Sequence, residues 1–105
     1  MRIEQAQTTR EAVREARRVK GTTTSGFCFD LPADAIDNME LVDALADAQD
    51  DNPIAISRVC RLLLGEGVRK ALYAHLRTPE GRVPVEAVSR EILEIFAGFG
   101  QAGKN

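Results

Sequence analysis

A mainly α-helical domain, a small bundle of about five short helices behind a short strand or hairpin, is what this sequence predicts. Three observations predict it. Apolar residues recur at spacings of three and four from Leu41 to Phe99, the period of a helix with one buried face. Capping and breaking residues (Asn52-Pro53, Gly65, Thr78-Pro79-Glu80-Gly81, Pro84) cut that run into short pieces. The single period-two stretch, Phe27 to Leu31, is too short to build a sheet domain.

The elements follow in order. Thr8 stands three residues before Glu11, the capping-box spacing, so a helix is expected from Glu11 to Lys20 with Gly21 as its stop. Its stripe of Ala12, Val13, Ala16 and Val19 is small, and such a helix frays unless something packs on it. Phe27, Phe29 and Leu31 alternate with Cys28 and Asp30 as in a half-buried strand. Gly21 and Gly26 bracket three threonines, which permits a hairpin there. Pro32 to Ile36 reads as one short turn, and Asp37 or Asn38 caps a helix with Leu41, Val42, Leu45 and Ala48 on its inner side and Glu40, Asp43 and Asp47 opposite. Asn52-Pro53 starts the third helix, which presents Ile56, Val59, Cys60, Leu63 and Leu64 and ends at Gly65. The fourth, Val68 to Leu76, carries Val68, Ala71, Leu72, His75 and Leu76 on one face, which makes His75 a core-edge residue.

The turn that follows is built from Thr78-Pro79-Glu80-Gly81. Gly81 is expected at positive φ, and Pro84 opens the fifth helix, which runs to about Gly98 with Val85, Val88, Ile92, Ile95, Phe96 and Phe99 on one side. The expected core is Leu41, Leu45, Val59, Leu63, Leu72, Leu76, Val88 and Ile92. Three segments result: a basic stretch at 1–25 that a partner would order, a helical domain at 26–99, and a disordered tail at 100–105.

Composition narrows the function. Among 105 residues the net charge is only −2, but it is polarised: residues 30–52 hold eight acids and no Lys or Arg. An acidic face of that kind steers basic partner segments. Apolar runs such as Leu62 to Leu64 stay far short of the ~20 residues of a membrane span. Met1 to Gln5 shows no apolar leader, so the protein is expected to be cytoplasmic. Cys28, Cys60 and His75 lack the spacing of a structural metal site, and two reduced thiols are expected. No phosphate-binding glycine motif occurs, and Ser25, Ser57 and Ser89 share a single histidine outside any nucleophile-elbow context. No catalytic residue, cofactor or metal ligand is therefore assigned, and the chain is not expected to be an enzyme.

Four stretches together carry a resemblance. Phe27-Cys28-Phe29-Asp30-Leu31-Pro32 precedes Asp37-Asn38-Met39-Glu40-Leu41, then Leu62-Leu63-Leu64-Gly65-Glu66, then His75-Leu76-Arg77-Thr78-Pro79-Glu80-Gly81-Arg82-Val83-Pro84. Over residues 26–97 this order resembles the small tail assembly chaperones of long-tailed bacteriophages and prophages. Met39 stands where that pattern has a tryptophan, and Thr78-Pro79 replaces an acidic pair. The resemblance implies a non-catalytic role in virion morphogenesis. Such a chaperone binds the tape measure protein in the host cytoplasm, assists polymerisation of the tail tube protein, and is absent from the mature virion. Ile95, Phe96 and Phe99 are the candidate partner-binding residues, as the edge of an apolar groove that takes up tape measure helices or a second copy of the chain. Gly81 and Pro84 are structural. The alternative is a helix-turn-helix DNA-binding regulator, with Arg58, Arg61, Arg69 and Lys70 on phosphates. A pI near 5.4 does not favour nucleic acid.

Overall fold

The computed structural model describes residues 17–49 and 52–103. Strand β1 (Arg18–Thr22) pairs antiparallel with β2 (Cys28–Pro32), in a register that sets Val19 opposite Leu31 and Gly21 opposite Phe29. A 3-10 turn (Ala33–Ile36) leads to α1 (Met39–Ala48), then α2 (Pro53–Leu76) and α3 (Val85–Gly103). The five-helix bundle is thus corrected: the described residues form three α-helices and a two-stranded hairpin.

Two differences account for the count. Residues 18–20, expected at the end of a first helix, are strand. Val19 buries itself against the hairpin's inner face (5% exposed), whereas Arg18 and Lys20 face outward with Asp30. A helix with so small an apolar stripe could not match that burial. The remainder of the expected first helix, 11–16, lies outside the described residues, and the boundary drawn at 25/26 falls inside the hairpin loop. Second, the expected third and fourth helices share one element range, Pro53–Leu76, as two helical arms joined across a kink at the glycine where the sequence places the break. Only Gly65 leaves helical geometry (φ 73°, ψ 177°), and the helix resumes at once. Those angles are open essentially to glycine alone, so the predicted corner is a one-residue kink.

The ends follow local chemistry. The Asn38 side chain accepts the Glu40 amide and the Asn52 side chain accepts the Ile54 amide, each at 3.0 Å, so both helices begin on a satisfied cap. The α2–α3 turn closes through Thr78 N–H to the Arg82 carbonyl (2.7 Å) and Gly81 N–H to the Thr78 carbonyl (2.9 Å), with Gly81 at φ 92°. Pro84 immediately precedes α3 and accepts the Val88 amide at 3.2 Å. α3 runs to Gly103, so 100–103, expected in a disordered tail, continue the helix.

One core joins the inner face of the hairpin to all three helices: Val19, Phe27, Phe29 and Leu31 meet Leu41, Val59, Leu63, Leu72, Val88, Ile92, Ile95 and Phe99. Leu45 and Leu76, expected inside, are only partly buried, and Val42, expected on the inner stripe, is 47% exposed while Ala44 takes its place. Phe29 is central. The tip of its ring lies close to two glycines, Gly21 across the hairpin and Gly98 on α3; a Cβ built on either would stand within 3.0 Å of its Cζ.

Candidate interaction surface

The outer side of α1 combines two features seldom found together. Met39 (68% exposed), Val42 (47%) and Ala46 are exposed at spacings of three and four, forming an apolar stripe that nothing in the described chain covers. Asp43 and Asp47, also exposed, border it on one side, with Glu40 one turn earlier. Glu40 reaches Arg58 only at 3.6 Å, an exposed pair of little weight. A ridge that is apolar along its crest and acidic along one flank suits an amphipathic helix with basic residues. Sequence reasoning found the acids but placed Val42 inward. The missed signal is Ala44, whose three-residue spacing from Leu41 turns the buried stripe away from Val42.

A second cluster holds the hairpin loop to the helices. Thr23 Oγ1 donates to Glu91 Oε1 at 2.7 Å and accepts the Phe27 amide at 3.2 Å. The Thr24 amide and hydroxyl both reach Glu94 Oε1 at 2.8 Å, and these two donors hold the Glu94 carboxyl below its usual range. His75 Nε2 lies 3.1 Å from both the Ser25 hydroxyl and the Ser25 carbonyl, and its ring packs 5.6 Å from Phe27. Ser25 and His75 therefore meet, but as a latch. Nε2 is shared with a backbone carbonyl; Ser25 is exposed on the hairpin loop and His75 on the last turn of α2. His75 is more exposed than its stripe suggests, but its ring packs at the edge of the core on Phe27. Glu91, only 3% exposed, was missed although it lies three residues after Val88 and four before Ile95, inside the buried stripe. The Thr23 hydroxyl from the loop is its donor.

The groove-edge residues separate. Ile95 is fully buried and Phe99 is 4% exposed, so both belong to the core; Phe96 is half-buried at its border. They do not form one exposed edge, because α3 turns its 95/99 side under the hairpin, where Gly98 lets Phe29 approach. A shallow groove of about 320 Å³ opens instead between the starts of α2 and α3, lined by Pro53, Ile56, Val85, Glu86 and Ser89. Cys60 is fully buried, and burial pushes its thiol above the usual range, whereas Cys28 is exposed beside Thr22. Among the described residues no group of three His, Cys, Asp or Glu side chains is placed to hold a metal ion.

Three of the four cations named for DNA contact have neighbours within the chain. Lys70 pairs with Glu66 at 3.1 Å, Arg58 faces Glu40, and Arg69 lies 5.6 Å over the Tyr73 ring. The Gly65 break occupies one residue, where a helix-turn-helix uses a turn of three or four. No helix among the described residues is long and apolar enough to cross a membrane. Comparison of the chain with protein-family models, curated proteins and solved structures finds no match.

Proposed function

We propose that this protein is a non-catalytic tail assembly chaperone of a long-tailed bacteriophage or prophage, which holds basic amphipathic segments of the tape measure protein and so assists tail-tube assembly. It acts in the host cytoplasm and leaves before the virion is complete. The observation that carries the reading is the α1 ridge: Met39, Val42 and Ala46 exposed in one line, with Asp43 and Asp47 beside them. The order of motifs over residues 26–97 supports the same class of protein.

The mechanism is capture by surface chemistry. Asp43 and Asp47 attract Lys-rich segments at long range, and the apolar crest then takes up the partner's hydrophobic face, which would otherwise aggregate. The test is co-expression with the tape measure protein encoded beside it, followed by co-purification. Substituting Met39→Ser together with Val42→Ser should abolish capture with the helical circular dichroism spectrum unchanged, since both side chains are exposed. Asp43→Lys with Asp47→Lys should weaken capture and reduce its sensitivity to salt. Full capture by both double variants would refute the reading.

A further inference from the structure

α3 carries a second apolar stripe besides the one that enters the core. Val88, Ile92, Ile95 and Phe99 point inward. Val85 (51% exposed), Ser89, Leu93 (69%), Phe96, Ala97 and Gly100 follow one another at spacings of three and four on an adjoining side, an arc of roughly 120° at 100° per residue. No charge interrupts that line beyond Glu86 at its beginning.

We propose that two copies of this chain associate through this side, their α3 helices antiparallel and crossing at Leu93. The stripe complements itself in size. A two-fold axis at Leu93 brings Ser89 of one copy against Ala97 of the other, and Val85 against the end that carries Gly100. Small residues at those places let helix axes approach to about 8 Å. Charge favours the same arrangement. An antiparallel two-fold pair sets each flank against itself, so Arg90 of one copy, whose exposed pair with Glu86 at 3.1 Å leaves its guanidinium open to a second partner, meets Glu94 of the other. Both bonds from Glu94 to Thr24 use Oε1, which leaves Oε2 for that contact. The α3 stripe is bordered by both signs of charge, Glu86, Arg90 and Glu94, where α1 has acids alone, so a second copy suits it better than a purely basic segment. This inference does not depend on the tape measure reading.

The area sets the strength. A helix of 19 residues is about 28 Å long, and one helix pair covers less than the ~800 Å² per partner of a standard interface. A dimer of micromolar affinity is therefore expected. Sedimentation equilibrium of the full chain from about 1 to 200 µM should show monomer passing to dimer. Leu93→Glu, which puts two like charges at the axis, should leave a monomer with unchanged melting at low concentration; Ala97→Glu should do the same if the first variant folds poorly. In a Cys28→Ser background, Leu93→Cys should cross-link rapidly to a disulfide dimer under mild oxidation, because the axis brings the residue onto itself. A parent that stays monomeric throughout, or Leu93→Glu and Ala97→Glu variants that dimerise like the parent, would overturn the proposal.

Discussion

Replacing Gly98 by alanine sets two known effects against each other at one atom. Alanine in a helix gains about 1 kcal/mol over glycine from backbone entropy. Here the added methyl would stand 3.0 Å from Phe29 Cζ, where carbon contacts prefer about 3.5–4.0 Å. Retreat of the ring is restricted, since its tip also lies close to Gly21, whose own Cβ would come within 2.8 Å of the same Cζ. Phe29 is 6% exposed, so it cannot swing into solvent without opening the core. Overpacking of this kind costs about 1–3 kcal/mol. The clash therefore wins, and Gly98→Ala should destabilise by about 1 kcal/mol net, or about 4–8 °C in melting temperature. Gly67→Ala is the matched control: its Cβ would meet nothing within 4 Å, so it should stabilise by up to about 1 kcal/mol. Urea denaturation of both variants, repeated in a Phe29→Leu background, gives a double-mutant cycle. The shortened side chain should relieve the clash and leave a coupling energy of at least about 1 kcal/mol. Were Gly98→Ala to stabilise the protein as Gly67→Ala does, the close approach of Phe29 to the two glycines would be wrong.

Leu63→Ala should cost about 2–5 kcal/mol, since the side chain is 2% exposed at the centre of α2; an unchanged urea midpoint would contradict its burial. Gly81→Val should destabilise by more than about 1 kcal/mol through the backbone alone, because φ is 92° and open space surrounds the position; a neutral result would show an ordinary extended residue there. Glu94 is held below its usual range by Thr24, so the unfolded chain binds its proton first. The latch is then complete above the ordinary glutamate value of about 4.3 and is lost as pH falls through the lower folded value. The Thr24 amide resonance should report this loss in the parent and not in Glu94→Ala, and an identical pH dependence in the two proteins would refute the bond. Native protein should yield one thiol, Cys28, to an aromatic disulfide reagent and a second only in denaturant, since burial both shields Cys60 and opposes its thiolate. Two fast thiols would place Cys60 at the surface.

Local signals read well wherever a residue acts on its own neighbours. Asn52-Pro53, the Thr78–Arg82 turn and the positive φ of Gly81 all depend on chemistry within four residues, and each stands where the sequence puts it. The failures involve partners far along the chain. Gly21 looks like a helix stop until Phe29 is known to lie across from it, and Val19 looks helical until Leu31 pairs with it. Gly65 shows the opposite limit: glycine marks the break correctly, but whether one residue or a whole corner is reshaped depends on how both arms of α2 seat on the core. The interaction surface was half legible for the same reason. Its acids are a matter of composition, whereas the outward turn of Val42 is decided by the packing of Ala44.

The loop latch also fixes an order of events during synthesis. Thr23 and Glu91 are 68 residues apart in the chain, and Thr24 and Glu94 are 70 apart. At roughly 5–20 residues per second, a ribosome needs about 3–14 s between making the hairpin and making the helix that receives it. Through that interval Phe27, Phe29 and Leu31 have no α3 to cover them, and among the described residues the contacts that close over them span some of the longest separations and carry a large loop-closure cost. The α1–α2 pair, adjacent in sequence, has no such wait. The hairpin is the element first translated among those described, and by this reckoning the last to be secured.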